Sequence, residues 1–379
     1  MSIFDKIKKI TKNEYAFNLN EENLYEIGEY IDTGCYALNA VLSDGDIYKG
    51  IPDGKRIMLA GESGTAKSLF TSYMIKKYLD NKPNSKAVFF ESEGSTTVEM
   101  AKAIDIDEER MIILPVMTIE ETRTQMVRIL DEIIQEKTNI TEKNKSIKKT
   151  YDQEIKKAKK ANLLASDLKY PKKPIYEEEE NFIFILDSLG MLSSTKETED
   201  VASGSVKKDL TKSQLLRGFA RVVSLKLAIS KSPFILVNHT YSTFDTYNPE
   251  KISGGAGMRY MADVILILTK TKAKEENSKE QIGVEIRCKV DKSRYMKENK
   301  FVRLLLSFKK GLYKYSHLTT LSAELEIFKK EGFSYLLPDG SKVKMKDMKK
   351  PALAKDHFNK EVLDTIQKSV KKEFEFGDD

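Results

Sequence analysis

The sequence predicts an α/β fold, a mostly parallel sheet with helices on both faces, carrying a short N-terminal helical arm and a small C-terminal domain. Three observations predict it. Five strand-length apolar runs, at 56–60, 87–90, 182–186, 234–237 and 264–268, are separated by helix-length patterns, the rhythm of parallel strands joined by crossover helices. The first run opens into a glycine-bearing turn, a lysine, a hydroxyl and a helical pattern. Later runs end on Glu91-Ser92-Glu93, Asp187-Ser188 and Asn238-His239, and ligands of open α/β sheets bind beyond the carboxyl ends of the strands.

With 379 residues the chain can bury one large core plus a satellite domain. Charged residues make up 32%, against about 25% in typical proteins, and the net charge of +6 is compatible with a polyanionic partner without establishing one. No run approaches the ~18 apolar residues of a membrane span and no apolar signal core opens the chain, so a cytoplasmic protein with no membrane partner is expected. Cys35 and Cys288 lie far apart without metal-type spacing and read as free thiols.

At the N-terminus Ile3, Phe4, Ile7 and Ile10 share one helical face and the other face is basic. This reads as an arm over residues 1–30 that docks on a subunit through Phe4 and Ile7, since one short apolar stripe is a weak membrane anchor. The first strand leads into Gly61-Glu62-Ser63-Gly64-Thr65-Ala66-Lys67-Ser68-Leu69, a phosphate-binding loop. Its backbone N–H groups and the helix start form an anion cradle, Lys67 neutralises terminal phosphates, and the Ser68 hydroxyl is placed for Mg²⁺. Ala66 stands where glycine is usual; if that position needs positive φ, its Cβ costs about 1–2 kcal/mol.

Glu91 and Glu93 follow the second run. A carboxylate there can polarise a water for in-line attack on a terminal phosphate, but alternation points both side chains the same way, so spacing does not choose between them. An insertion over about 137–180 comes next, with twelve lysines between Lys137 and Lys173 and then Glu177-Glu178-Glu179-Glu180. Its pattern predicts a protruding helical hairpin, either simply solvated or in contact with nucleic acid or a partner. Asp187 closes the third run, where a carboxylate holds Mg²⁺ directly or through water. Asn238-His239 enters a polar stretch bearing Tyr241, Phe244, Tyr247 and Gly254-Gly255-Ala256-Gly257, a layout that can couple nucleotide state to a second ligand. After an alternating stretch at 302–308, Lys309-Lys310-Gly311-Leu312 reads as a boundary. Residues 316–379 then form a small helical C-terminal domain ending in an acidic tail.

The segments Phe184-Ile185-Leu186-Asp187-Ser188-Leu189-Gly190, Lys196-Glu197-Thr198-Glu199-Asp200, Val237-Asn238-His239-Thr240-Tyr241 and Gly254-Gly255-Ala256-Gly257-Met258 resemble the RecA family of ATP-dependent strand-exchange recombinases, in its phage branch. The resemblance covers about residues 31–315, is weak at the N-terminus and is absent over the lysine-rich insertion. It implies a RecA-like P-loop ATPase core binding ATP and Mg²⁺, with Glu93 rather than Glu91 as the catalytic carboxylate beside Lys67. It further implies Ser68 and Asp187 at the metal, Met100 under the adenine and His239 as the γ-phosphate sensor. Lys292 and Arg294 would reach a neighbour's ATP, and Tyr260 would lie at the subunit interface. Two DNA loops, about 191–211 and 240–257, would contribute Lys207, Lys208, Lys212, Tyr241, Phe244, Tyr247, Gly254 and Gly255, with Arg221 on the helix behind them. Glu197, Glu199 and Asp200 make the first loop acidic and cannot themselves grip phosphate.

The implied function is a DNA-dependent ATPase that forms helical filaments on single-stranded DNA and catalyses homologous pairing and strand exchange in recombination, repair and replication. Its implied partners are single- and double-stranded DNA, further copies of itself, a loader and a single-stranded DNA-binding protein. Two rivals share parts of the pattern: a hexameric replicative helicase and a non-catalytic ATP-binding paralogue. Intact Lys67, Glu93 and Asp187 argue against the second.

Overall fold

The computed structural model describes residues 3, 7, 10–13, 15–17, 25–94, 101–102, 104–160, 172–204, 211–242, 250–253, 255–274, 281–308, 310–348 and 356–375. Its centre is a sheet built from β1 (Arg56–Gly61), β2 (Ser85–Glu91), β3 (Met111–Pro115), β4 (Asn181–Asp187), β5 (Phe234–Ser242), β6 (Val264–Lys274), β7 (Gln281–Ser293), β8 (Phe301–Ser307) and β9 (Gly311–Leu312). They lie in the order β9-β8-β7-β6-β1-β5-β4-β2-β3. The pairs from β6 across to β3 are parallel, while β6-β7, β7-β8 and β8-β9 are antiparallel.

Two apolar layers explain why the central strands are almost continuously hydrophobic. Ile57, Leu59, Ala87, Phe89, Ile183 and Ile185 point to one face, against Phe70, Met74 and Tyr78 of helix α2 (Lys67–Asn81). Met58, Val88, Phe90, Phe184 and Leu186 point to the other. There they meet α3 (Ile119–Lys160) through Met126, Leu130 and Ile133, and α5 (Lys212–Ser230) through Leu216, Phe219, Val223 and Leu227. The spacing of the buried residues on α5 gives it one apolar stripe. Between β4 and α5 lies the short helix α4 (Thr195–Ala202), and α6 (Gly255–Met261) precedes β6.

The first layer continues into the C-terminal region. α1 (Tyr36–Leu42), α7 (Leu318–Glu324) and α8 (Lys360–Phe374) share one cluster that includes Leu38, Leu42, Leu318, Val362, Ile366 and Val370. Besides its helices, this region holds a three-stranded antiparallel sheet of Lys329–Glu331, Ser334–Leu336 and Lys342–Lys344. Gly311 and Leu312, within the expected boundary, form the last strand beside β8.

Among the described residues the insertion shows one helical leg of the expected hairpin. Its first leg is the distal half of α3, a helix of 42 residues, about 63 Å long at 1.5 Å per residue. The return leg over 172–180 has no regular secondary structure. Asn144 clamps it, exchanging hydrogen bonds of 2.9 Å with the backbone N–H and carbonyl of Glu177.

Candidate nucleotide site and nucleic-acid interface

The phosphate loop lies between β1 and α2. A Cβ on Gly61 would stand 2.5 Å from the Leu268 carbonyl oxygen, so the tight departure from β1 needs glycine, and Gly64 sits at φ 72°. Ala66 takes φ 64° and ψ 28° as the N-cap of α2, so the positive φ is kept in spite of the Cβ and its steric cost. Lys67 is buried and its Nζ donates to the carbonyls of Gly61 at 3.0 Å and Glu62 at 2.8 Å. Burial lowers its pKa, opposed by Glu93 and Asp187.

Ser63, Gly64, Ala66, Lys67, Ser68, Leu69, Glu93, Asp187 and His239 line one cleft of about 140 Å³. That volume is below the roughly 300–1,000 Å³ of a whole-ligand pocket, so it suits the phosphate end of a nucleotide, with the nucleoside outside. Thus four strand ends, distant in sequence, converge. The structure also separates the two candidate glutamates. Glu91 is buried, and its Oε1 accepts the backbone N–H of Glu93 at 2.9 Å. Glu93 instead reaches His239, whose Nε2–H donates to its Oε1 at 2.9 Å. Burial raises the Glu93 carboxyl, but the Ser188 hydroxyl, His239 and Lys67 outweigh it and hold the pKa below the ordinary value.

Asp187 is buried and neither carboxylate oxygen has a hydrogen-bond partner among the described residues. Burial, reinforced by Glu93 and Glu91, pushes its pKa up to about 6, while Ser68, close by without full hydrogen-bond geometry, and Lys67 oppose the rise. A buried carboxylate left without protein partners beside a hydroxyl and a phosphate cradle fits a hard divalent cation. Mg²⁺ takes one or two carboxylates and completes its shell with water and phosphate oxygens.

Asn238 and His239 also fix the base of the following excursion. Asn238 Nδ2 donates to the Ser253 carbonyl at 2.8 Å, and the Ser253 N–H donates to the His239 carbonyl at 2.9 Å. The strand end in the cleft is therefore tied to both ends of the segment between them. Tyr241 is exposed at its start, and Gly255 opens α6 at its end. Phe4, Met100, Lys207, Lys208, Phe244, Tyr247 and Gly254 lie outside the described residues.

Part of the expected acidic loop is structural. Ser194 and Glu197 form a capping box at the start of α4, satisfying its backbone donors. Glu197 also lies 3.6 Å from Lys212. Behind this loop Arg221 shares a groove with two arginines that the sequence reading did not single out, Arg123 from α3 and Arg217 from α5. Arg217 stands one turn before Arg221 and was within reach of a helical-spacing argument; Arg123 comes from a remote helix. Lys270 was also missed: its Nζ lies 4.0 Å from where a Cβ on Gly64 would be.

Lys292 and Arg294 occupy the other end of the sheet. Lys292 pairs with Ile265, which pairs with Met58 of β1, so about 10 Å of β1 separates this level from Gly61. Lys292 Nζ donates to the carbonyls of Arg259 at 2.8 Å and Ala262 at 2.7 Å, and Arg294 donates to that of Tyr260 at 3.1 Å. Tyr260 itself is exposed. At the N-terminus Ile3, Ile7 and Ile10 are helical and exposed.

Sheet order and cleft together define a RecA-like P-loop α/β protein. No family model matches the chain. It is 27% identical over 320 residues to the recombination and repair protein of Enterobacteria phage T4, covering 84% of this chain and 70% of that protein. It is 20% identical over 346 residues to protein RecA of Petrotoga mobilis, covering 90% and 79% of the two chains. Against protein RecA of Mycoplasmopsis pulmonis it is 23% identical over 379 residues, covering 98% and 93%. These homologues support a RecA-family recombination and repair protein, close to the phage protein UvsX. Among the described residues, no helix is long and apolar enough to cross a membrane.

Proposed function

We propose that this protein is a Mg²⁺-dependent, DNA-stimulated ATPase that forms helical filaments on single-stranded DNA and catalyses homologous pairing and strand exchange. The observation that carries this reading is the convergence of Lys67, Ser68, Glu93, Asp187 and His239 on one cleft at the strand ends of a RecA-like sheet. Lys67 meets the terminal phosphates. Glu93, held ionised by its neighbours, orients and polarises the attacking water. Ser68 and Asp187 would hold Mg²⁺, which supplies charge neutralisation between the phosphates.

His239 contacts Glu93 and is tied through its own carbonyl to Ser253, so a change at the terminal phosphate is felt at the base of the second DNA loop. On the DNA side, Arg123, Arg217 and Arg221 form a cationic track along α5, the helix that Lys212 opens. Lys292 and Arg294 act in trans, because they sit at the end of the sheet opposite their own phosphate loop. The proposed filament also uses the Phe4 and Ile7 arm and Tyr260 as subunit contacts. Double-stranded DNA, a loader and a single-stranded DNA-binding protein complete the proposed partners.

The test is phosphate release from ATP with and without single-stranded DNA, joined to negative-stain microscopy. Wild type should show DNA-stimulated turnover and filaments rather than rings, and Lys67→Ala should show no turnover. Glu93→Gln should keep nucleotide-dependent DNA binding while losing hydrolysis. Wild-type turnover in Glu93→Gln would overturn the assignment of the carboxylate, and closed rings would favour a helicase.

A further inference from the structure

The distal half of α3 does not take part in the core. Ile140 is the last buried residue on it among the described ones, and the twenty residues beyond extend about 30 Å. The acidic run that follows in sequence is spent at the base of this arm. Glu179 lies 3.6 Å from Lys137, Glu177 lies 3.1 Å from Lys143, and Glu180 lies 3.9 Å from Lys86.

Past Asn144 the balance changes. Lys145, Lys148, Lys149 and Lys156 are exposed, and none has a carboxylate within ion-pair distance among the described residues. Their spacings of three, four and eleven put them on one stripe of the helix, which Asp152 shares. Asn144, Ile147, Tyr151, Ile155 and Ala158 are half-buried and fall on an adjacent stripe, so the lysine stripe is directed away from the covered side. From Lys145 to Lys156 the stripe runs about 16 Å, the axial rise of roughly five nucleotides on one strand of a duplex.

We infer that this lysine stripe is a second nucleic-acid contact and that its ligand is the phosphate backbone of double-stranded DNA. A rigid row of unpaired cations matches a regular row of phosphates, and such contacts need no sequence readout. Position separates it from the proposed DNA loops. α3 starts beside the first loop, where Glu120 accepts the Thr195 N–H at 3.2 Å, and residue 150 lies about 45 Å along the helix from there. The stripe therefore engages a DNA segment other than the strand held in the same subunit's loops. The choice of DNA among polyanions rests on the proposed function, whereas the unpaired stripe does not.

The experiment uses the full chain with Lys145, Lys148, Lys149 and Lys156 all changed to Ala, beside a variant with all four changed to Arg. Binding to a 30-base-pair duplex and to a thymidine 30-mer is followed by fluorescence anisotropy across salt concentrations. The alanine variant should lower the salt slope for duplex by about 3 to 4, at 0.9 per phosphate contact, with the arginine variant restoring it. DNA-stimulated ATP turnover on single strands should be unchanged, and alanine preserves the helix. An unchanged duplex slope would overturn the inference and leave the arm a solvated appendage. An equal loss on single strands would overturn the assignment to duplex. Absence of any DNA binding or DNA-stimulated turnover by the wild type would instead overturn the proposed function.

Discussion

If Lys292 serves a neighbour's nucleotide, two inactive variants should make active interfaces when mixed. In the structure its ammonium is held by carbonyls at the end of α6, and its strand level lies about 10 Å from that of Gly61. A lysine side chain does not span that distance to its own phosphates. A head-to-tail interface takes Glu93 from one subunit and Lys292 from the next. Lys292→Ala protein retains Glu93, and Glu93→Gln protein retains Lys292, so an interface is complete only when the first supplies the nucleotide and the second the cation. Random equal mixing gives that arrangement with probability one half times one half, about one quarter of interfaces in a heterologous assembly. DNA-stimulated phosphate release should therefore rise from near zero in each variant alone to about a quarter of the wild-type rate in the mixture. Fluorescently labelled subunits show by energy transfer whether mixed assemblies form. Mixed assemblies with no recovered turnover would refute the trans role and the distance argument with it.

Two further outcomes test the scaffold. Asp263 is buried and binds Arg56 through both the backbone N–H and the guanidinium at 2.8 Å, with Arg294 Nε at 3.4 Å. Asp263→Ala leaves a buried guanidinium without its anion and should cost about 3–5 kcal/mol in urea unfolding; a loss under about 1 kcal/mol would show that the pair contributes little. His317 is pushed down to about 4 by burial, with Arg303 adding to the effect. The unfolded histidine titrates near 6.5, so the stability this group contributes is complete above about pH 6.5 and is lost as pH falls toward 4, up to about 3 kcal/mol. His317→Asn, a residue suited to the φ of 64° there, should flatten urea stability between those pH values. An unchanged acid slope in the variant would place the acid sensitivity elsewhere.

How much of this was legible in the sequence depends on how local each signal is. The phosphate loop, Asp187 and Asn238-His239 each lie at the end of an apolar run, and a strand end is written in a few consecutive residues. Parallel pairing then brings those ends together. β3 was passed over although Met111 to Leu114 are all apolar, being a half-exposed edge strand with Ile112 exposed and a proline at its end. The C-terminal sheet escaped because its strands have only three residues and two of the three are lysine-rich. Arg123 could not be placed beside Arg221 without the packing of α3 on α5.

The insertion and Ala66 show the same limit from two sides. Nothing between 119 and 160 breaks a helix, since the stretch holds no glycine or proline, so α3 runs on past the core as the first leg of the insertion. Pro174 lies in the return leg and works against a helix there, because proline removes a donor and restrains its predecessor from the helical region. At Ala66 the sequence posed the question, whether the loop changes its backbone or bears the strain, and left it open. The answer comes from what surrounds the residue. Lys67 is held by the Gly61 and Glu62 carbonyls, and Phe70 donates its N–H to the Ala66 carbonyl at 2.9 Å. Each of those bonds depends on the turn keeping its shape, so together they outweigh the roughly 1–2 kcal/mol cost of one residue in the left-handed region.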